Sequence, residues 1–414
     1  MLERRRVVIT GIGTVNPIGN DIVTTWEGAK NGKNGIAPIT HYDASNDEVK
    51  LAAEIKNLDF EARLGVKEIR RTDRFSQLAL LATDEAFKDS NIDFSQMDTL
   101  RVGVYYTSGI GGLETLDIQK ARAMEKGYNR ISPFFIPSAI INLAAGNIAI
   151  KYGIKGPAIS HVTACASSTN AVGEAFRAIR DGYLDMAIAG GSEGAVIPFG
   201  IWGFAVMQAL YRGNDINKAS IPFDLNRSGF VMGEGAGTLF LEEYEHAKKR
   251  NAHIHAEIVG YGSTCDATHI TGPDPEGNGA MNCMLIALKD GAVNPDEVDY
   301  INAHGTSTPL NDSVETLAIK KAFNQHAYEL NVSSTKSMTG HLLGASGAVE
   351  AILTILAVEN DFIPPTINTK ELDPLCDLNY TLVKGVAKPL KYAISNSLGF
   401  GGHNATIVIK KFKE

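Results

Sequence analysis

Cys165-Ala-Ser-Ser-Thr-Asn-Ala-Val-Gly-Glu-Ala-Phe-Arg-Ala-Ile179 and His341-Leu-Leu-Gly-Ala-Ser-Gly-Ala-Val-Glu-Ala-Ile-Leu-Thr-Ile355 are two versions of one pattern. Counted from Cys165, apolar residues fall at Val172, Ala175, Phe176 and Ile179; counted from His341, they fall at the same offsets, Ala348, Ala351, Ile352 and Ile355. That spacing marks one face of an α-helix. Each segment therefore predicts a turn of small residues carrying a reactive side chain, followed by a helix.

The likeness extends outward in both directions. Arg101–Gly111 and Val298–Ser307 each read as a strand running into a small-residue turn, and each follows a helical stretch, Phe75–Lys88 and Met281–Lys289. Met232–Leu241 and Phe400–Ile409 each read as a glycine-rich turn entering a strand. Strands and helices alternate in each half, which gives an α/β class. The boundary is expected near the charged stretch Glu242–Asn251, dividing the chain into residues 1–252 and 253–414. No flexible linker interrupts it, so two halves packed as one body with pseudo-twofold symmetry are expected. On this reading Cys165 and His341 are matching elements that meet across the axis.

A chain of 414 residues exceeds one ordinary core. The composition, 44% hydrophobic and 21% charged, is globular. A formal net charge of −8 argues against an overall nucleic-acid surface. The four cysteines, Cys165, Cys265, Cys283 and Cys376, form no CxxC pair. No metal ligand set is read from the sequence, and the compartment is expected to be reducing, the cytoplasm. Met1–Arg6 runs straight into Val7-Val-Ile-Thr-Gly11, a first strand rather than a signal-peptide core. The uncharged stretches Pro133–Ile150 and Gly194–Tyr211 contain prolines, glycines and amides and read as buried or interface segments, not membrane spans.

Cys165 is expected at a helix N-terminus, where the dipole and free N–H groups favour thiolate and where a sharp turn offers N–H groups to an oxyanion. The bland alternative, a small core residue, suits Cys283 better, which sits inside an apolar helix. His304, in Ala303-His-Gly-Thr-Ser-Thr308, and His341 each adjoin a glycine at an element end and read as donors to a reacting carbonyl. Thr306 and Thr308 add hydroxyls. Lys336 and Glu350 are expected as buried charge partners, and Gly399-Phe-Gly-Gly402 as a turn able to let Phe400 swing.

Thr163-Ala-Cys-Ala-Ser-Ser168, His304-Gly-Thr-Ser-Thr308, Lys336-Ser-Met-Thr-Gly-His341, Gly399-Phe-Gly-Gly402 and Gly229–Gly237, in this order, resemble the β-ketoacyl synthase family from about Arg5 to Lys410, and most of all its single-function synthase II branch. The resemblance implies a thiolase-like fold, two α/β halves in a five-layer αβαβα body, usually a homodimer. It implies that Cys165 takes an acyl chain from acyl carrier protein as a thioester, that His304 and His341 stabilise the enolate formed as malonyl-carrier protein loses CO2, and that the product is two carbons longer. It assigns the oxyanion hole to the N–H groups of Cys165 and Phe400, the gate to Phe400, support to Lys336 and Glu350, the pantetheine arm to Thr306 and Thr308, a further substrate contact to Thr271, and the acyl pocket to Ile110. No cofactor of the chain's own is implied, because the phosphopantetheine arm arrives on the carrier. Carrier protein is acidic, and Lys67, Arg70 and Arg71, with Arg74 beside them, form a basic cluster at the matching position.

Leu398, Trp202, Thr268 and Gln208 depart from residues common in the family, which bears on chain length, gate motion and docking. A polyketide ketosynthase shares the same catalytic residues; the absence of an appended module after residue 414 favours the free-standing fatty-acid enzyme. A non-catalytic partner subunit would typically lack the cysteine. A degradative thiolase would carry a second cysteine near its C-terminus, and this chain has none after Cys376.

Overall fold

A computed structural model describes residues 4–413; Met1–Glu3 and Glu414, at the extremes of the two expected halves, lie outside the described residues. Ten strands form the main sheet: β1 (Val7–Val15), β2 (Val102–Thr107), β3 (Ala158–Ile159), β4 (Met186–Glu193), β5 (Gly235–Glu243), β6 (Ala256–Cys265), β7 (Val298–Asn302), β8 (Asn331–Ser333), β9 (Tyr392–Gly399) and β10 (His403–Lys411). Their spatial order is β8-β7-β9-β10-β6-β1-β5-β4-β2-β3. Each half is the other's counterpart, every strand matching the one five places later. The outer pairs β2–β3, β2–β4, β7–β8 and β7–β9 are parallel. The inner pairs β4–β5, β5–β1, β9–β10 and β10–β6 are antiparallel. The halves join where Val7–Ile9 of β1 pair antiparallel with Ala256–Ile258 of β6, the seam through which the pseudo-twofold axis runs.

Six helices complete five layers: α1 (Arg74–Ser90), α2 (Leu143–Tyr152), α3 (Ser167–Arg180), α4 (Asn278–Asp290), α5 (Pro309–Phe323) and α6 (Ser346–Asn360). α1 and α2 cover the outer face of the first half, while α4 and α5 pack together on that of the second. Between the halves lie α3 and α6, each touching strands of both. All residues of α6 from Ser346 to Val358 are buried. That explains why Leu343–Asn360 has the length and hydropathy of a membrane span, 18 residues at 1.3, while 89% of it is buried in the protein. The uncharged stretches noted in the sequence contain short helices with exposed apolar side chains, among them Ile136, Ile140, Phe199 and Val206.

The helix register corrects the sequence reading. One turn of 3-10 helix, Ala164–Ala166, precedes α3, and one, Leu343–Ala345, precedes α6. Ala164 and Leu343 share a left-handed backbone, φ +50° and +49°. The Ser167 hydroxyl accepts from Thr163 N–H, and the Ser346 hydroxyl accepts from Leu342 N–H, each at 2.9 Å. Cys165 therefore matches Gly344, and His341 lies three residues upstream of that point. A shift of three keeps nearly the same helical face, so apolar periodicity alone accepts either register.

The duplication also fixes how tightly helix and strand approach. A Cβ on Gly11 or Gly13 of β1 would overlap the Ala86 or Ala82 carbonyl oxygen of α1. On Gly260 or Gly262 of β6 it would overlap that of Ala287 or Cys283 in α4. Gly262→Ala should lower stability by about 1–3 kcal/mol at an unchanged denaturant m-value. Urea unfolding checks this; a change below about 0.5 kcal/mol would mean that α4 yields freely.

Candidate active site

The turn before α3 presents Cys165, which is buried. Its Sγ lies 3.1 Å from His341 Nε2. The His304 and His341 rings stand edge to face with centroids 5.3 Å apart, and Phe230 meets His341 edge-on at 5.1 Å. Cys165, His304, His341, Thr306, Thr308, Thr271 and Phe400 all line one cavity of about 320 Å3, together with Leu398 and Gln208. Sequence positions from both halves thus converge on a single pocket.

Each imidazole has a different partner. Lys336 Nζ lies 3.3 Å from His304 Nδ1. An ammonium only donates, so Nδ1 accepts and the proton sits on Nε2. His341 Nδ1 lies 2.9 Å from Ser346 Oγ. A hydroxyl both donates and accepts, so this partner serves either neutral tautomer of His341. Burial, reinforced by the nearby Lys336 charge, holds both imidazoles far below the usual histidine range. Among the described residues no carboxylate contacts either ring, which leaves two neutral rings suited to donating hydrogen bonds.

Lys336 and Glu350 are both buried and form a very short ion pair. Burial pushes Glu350 up to about 7, opposed by Lys336. Burial also pushes the Cys165 thiol up to about 12, opposed mainly by the Lys336 charge. The expected resting thiolate is therefore corrected: desolvation by burial outweighs the Lys336 charge and favours the thiol form of Cys165.

Phe400 N–H points at the Cys165 sulfur. Gly399 is pressed against the Cys165 turn, where a Cβ would meet Thr163 O at 2.8 Å and Cys165 N at 3.2 Å. Gly401 and Gly402 are both left-handed, φ +86° and +75°. The Phe400 ring lies 6.3 Å from that of Phe204. The Thr306 and Thr308 hydroxyls are 2.9 Å apart.

Several expected residues lie elsewhere. Ile110 does not line the cavity; it packs against the apolar cluster whose Phe204 and Phe230 do. Lys67, Arg70 and Arg71 are exposed, with Arg71 stacked over Phe134 at 5.2 Å. Arg70 borders a separate, more polar cavity of about 590 Å3. Arg74 is withdrawn from the cluster by buried Glu234, 2.5 Å and 2.8 Å from its guanidinium nitrogens. Trp202 is on the apolar surface, not the cavity wall, and Thr268 is exposed.

Three supporting residues escape the sequence reading. Ser346 is one. Glu315 accepts the His304 and Gly305 N–H groups at 2.8 Å each, and Asp312 accepts those of Ser307 and Phe223. Their signal was legible in principle: two acids three apart in α5, directly behind the His-Gly-Thr-Ser-Thr loop.

Residues 4–247 match the family model for the β-ketoacyl synthase N-terminal domain, and residues 255–370 match that for its C-terminal domain. The chain belongs to the β-ketoacyl synthase family. Its curated relatives include proteins named 3-oxoacyl-[acyl-carrier-protein] synthase 2 from Synechocystis and from Staphylococcus aureus. Each is 49% identical over 413 residues, covering 100% of this chain and 99% or 100% of the relative. Among solved structures, a β-ketoacyl synthase from Burkholderia phymatum is 33% identical with a TM-score of 0.91. A type II polyketide ketosynthase, solved in complex with its acyl-carrier protein and bound to the hexaketide, is 35% identical with a TM-score of 0.91. Each match covers 99% of this synthase and 100% of the other chain.

The neutral imidazoles of the synthase make its stability pH-dependent. The unfolded chain binds the histidine protons first, near pH 6.5. Stability from each ring is therefore complete above about 6.5 and falls as pH drops, by up to about 1.4 kcal/mol per unit. His304→Asn should flatten the stability profile relative to wild type between about pH 6.5 and 5. Parallel profiles from urea melts would mean that His304 is protonated in the folded chain.

Proposed function

We propose that this chain elongates fatty acyl chains by decarboxylative condensation of an acyl-enzyme thioester with malonyl-acyl carrier protein, giving 3-oxoacyl-acyl carrier protein and CO2. The observation that carries this reading is the buried Cys165 sulfur, 3.1 Å from His341 Nε2, with His304 beside it in one cavity. Relatives 49% identical that are named 3-oxoacyl-[acyl-carrier-protein] synthase 2 support the fatty-acid reading over polyketide assembly, whose ketosynthase match is 35% identical.

In the first half-reaction Cys165 attacks the acyl thioester of the carrier protein. Its proton passes through His341 Nε2 to the departing pantetheine thiol, with Ser346 accepting from Nδ1. The tetrahedral oxyanion is held by the Cys165 and Phe400 N–H groups. In the second, malonyl-carrier protein enters with its pantetheine near Thr306, Thr308 and Thr271. The C–C bond to CO2 breaks, and its electron pair becomes a thioester enolate. His304 Nε2–H, whose tautomer Lys336 enforces, and His341 Nε2–H, formed once the ring exchanges its Nδ1 proton for one on Nε2 while the Ser346 hydroxyl turns to donate to Nδ1, donate to the enolate oxygen. The carbanion forms the new C–C bond at the acyl carbon, and the C–S bond to Cys165 breaks with its electron pair going to sulfur, which takes up one proton from solvent to restore the thiol. Loss of CO2 generates the carbanion, so no strong base is required and neutral donors suffice. The arm on the carrier supplies the group chemistry, and the reading assigns the chain no cofactor or metal for this reaction.

We assign residues 1–252 and 253–414 as the two units, carrier docking to Lys67, Arg70 and Arg71, acyl-pocket shaping to Ile110 acting through Phe204, and charge support to Lys336 and Glu350. Exposed apolar side chains on 133–150 and 194–211 support a homodimer through that face. Four free cysteines fit the cytoplasm.

Intact mass after mixing with a medium-chain acyl-carrier protein tests the central step. Wild type should gain one acyl mass, Cys165→Ala none, and malonyl-carrier protein should discharge the adduct as a 3-oxoacyl product. No adduct across a range of chain lengths would overturn the elongation reading.

A further inference from the structure

Far from the cavity, where β1 and β6 meet, His253, His255 and Glu359 bring three ligating atoms to within 4.8 Å of one another. The histidines are two apart in the segment leading into β6, a spacing that puts side chains on one side of an extended chain. Glu359 comes from the last turn of α6. Its Oε1 lies 3.2 Å from His253 Nε2 and 3.2 Å from His255 Nδ1. Ligands about 2.0–2.1 Å from a tetrahedral zinc ion are separated by about 3.3 Å, so both edges already have the length that a cation requires.

A fourth residue decides which nitrogen is free. Asp89, near the end of α1, places Oδ2 2.8 Å from His255 Nε2 and accepts the Ile12 N–H with the same oxygen at 2.9 Å. The carboxylate takes the Nε2–H; Nδ1–H donates to Glu359 in the absence of a cation, and a bound cation would take the place of that proton on Nδ1. A carboxylate behind a ligating histidine is the usual device for fixing its tautomer and raising its basicity. The His255 side chain is 9% exposed, Glu359 27% and His253 63%, so the cluster has a buried base and an open outer position for water.

We propose that His253, His255 and Glu359 bind a divalent cation of the zinc type, with Asp89 as the residue that positions His255. Two imidazoles and one carboxylate suit a borderline cation and disfavour magnesium, which takes oxygen ligands. This departs from the sequence reading, which found no metal ligands. The site joins α1 of the first half to α6 of the second, and the His255 N–H donates to Ile9 O at 2.9 Å. A bound cation therefore braces the seam, and it does so independently of the condensation chemistry.

Without a cation, the same groups make an imidazolium held between two carboxylates, and the test separates the two. Zn2+ is titrated into the full-length protein at pH 8 in competition with a chromogenic chelator, alongside thermal melts with Zn2+ and with Mg2+. In wild type, Zn2+ and not Mg2+ should raise the melting temperature. In His253→Ala, a change at an exposed position, affinity should fall at least about tenfold and the thermal shift should vanish. Glu359→Gln should weaken binding likewise. Equal zinc affinity in wild type and His253→Ala, or no thermal shift in wild type, would overturn the proposal and leave the cluster as an ion-paired imidazolium.

Discussion

The site depends on how closely the first turns of α3 and α6 approach at the pseudo-twofold axis. A Cβ on Gly347 would overlap the Thr169 hydroxyl, and the Ser168 hydroxyl accepts the Ala348 N–H at 2.9 Å. Only glycine at 347 allows this spacing. With the two turns locked, the side chains just before them share one small volume, and Cys165 meets His341. Because α3 and α6 are each packed by strands of both halves, the spacing is held by the whole core rather than by a loop.

A second consequence of the duplication is that corresponding parts carry different chemistry on one scaffold. The left-handed residue and the serine that caps the turn occur in both halves, at Ala164 and Ser167 and at Leu343 and Ser346. In the first half the serine hydroxyl donates back to the Ala164 carbonyl at 2.6 Å and so only braces the turn. In the second, the same hydroxyl lies against His341 Nδ1 and so takes part in setting the ring's proton. One structural device has acquired a chemical role in one of its two copies.

Much of this was legible in the residues, for physical reasons. Cys165, His304, His341, Lys336 and Phe400 sit in small-residue turns at element ends, where sequence patterns are least ambiguous, and Glu350 lies in the first turns of the helix that follows one of them. The register of α6 was misread by three residues because a helix returns to nearly the same face after three or four, so only the turn geometry separates the choices. Glu315 and Ser346 were hidden because they act from behind, through backbone N–H groups or a ring's far nitrogen. The paired Gly11/Gly13 and Gly260/Gly262, four and six residues into matching strands, carried the duplication as plainly as any motif but produce no chemistry to draw attention. The two histidines at 253 and 255 become a cluster only when α1 and α6 bring acids from residues 89 and 359, a juxtaposition that no local spacing encodes.

The electrostatic design follows from burial. Cys165 rests as a thiol and both histidines as neutral rings, so Lys336 and Glu350 hold the formal charge nearest the reacting atoms. A buried pair of this kind contributes little net stability, since desolvation offsets much of its attraction. Its effect is directional: the ammonium lowers the proton affinity of both rings and donates to one of them. Had a carboxylate stood behind either ring, that ring would be a stronger base and hold its proton as an imidazolium. Placing an ammonium there does the opposite, keeping both rings as donors through a reaction in which the negative charge arises by loss of CO2 rather than by proton abstraction. In the proposed mechanism Ser346 completes the arrangement, because a hydroxyl imposes no charge of its own and lets His341 exchange the thiol's proton in one half-reaction and donate to the enolate in the other.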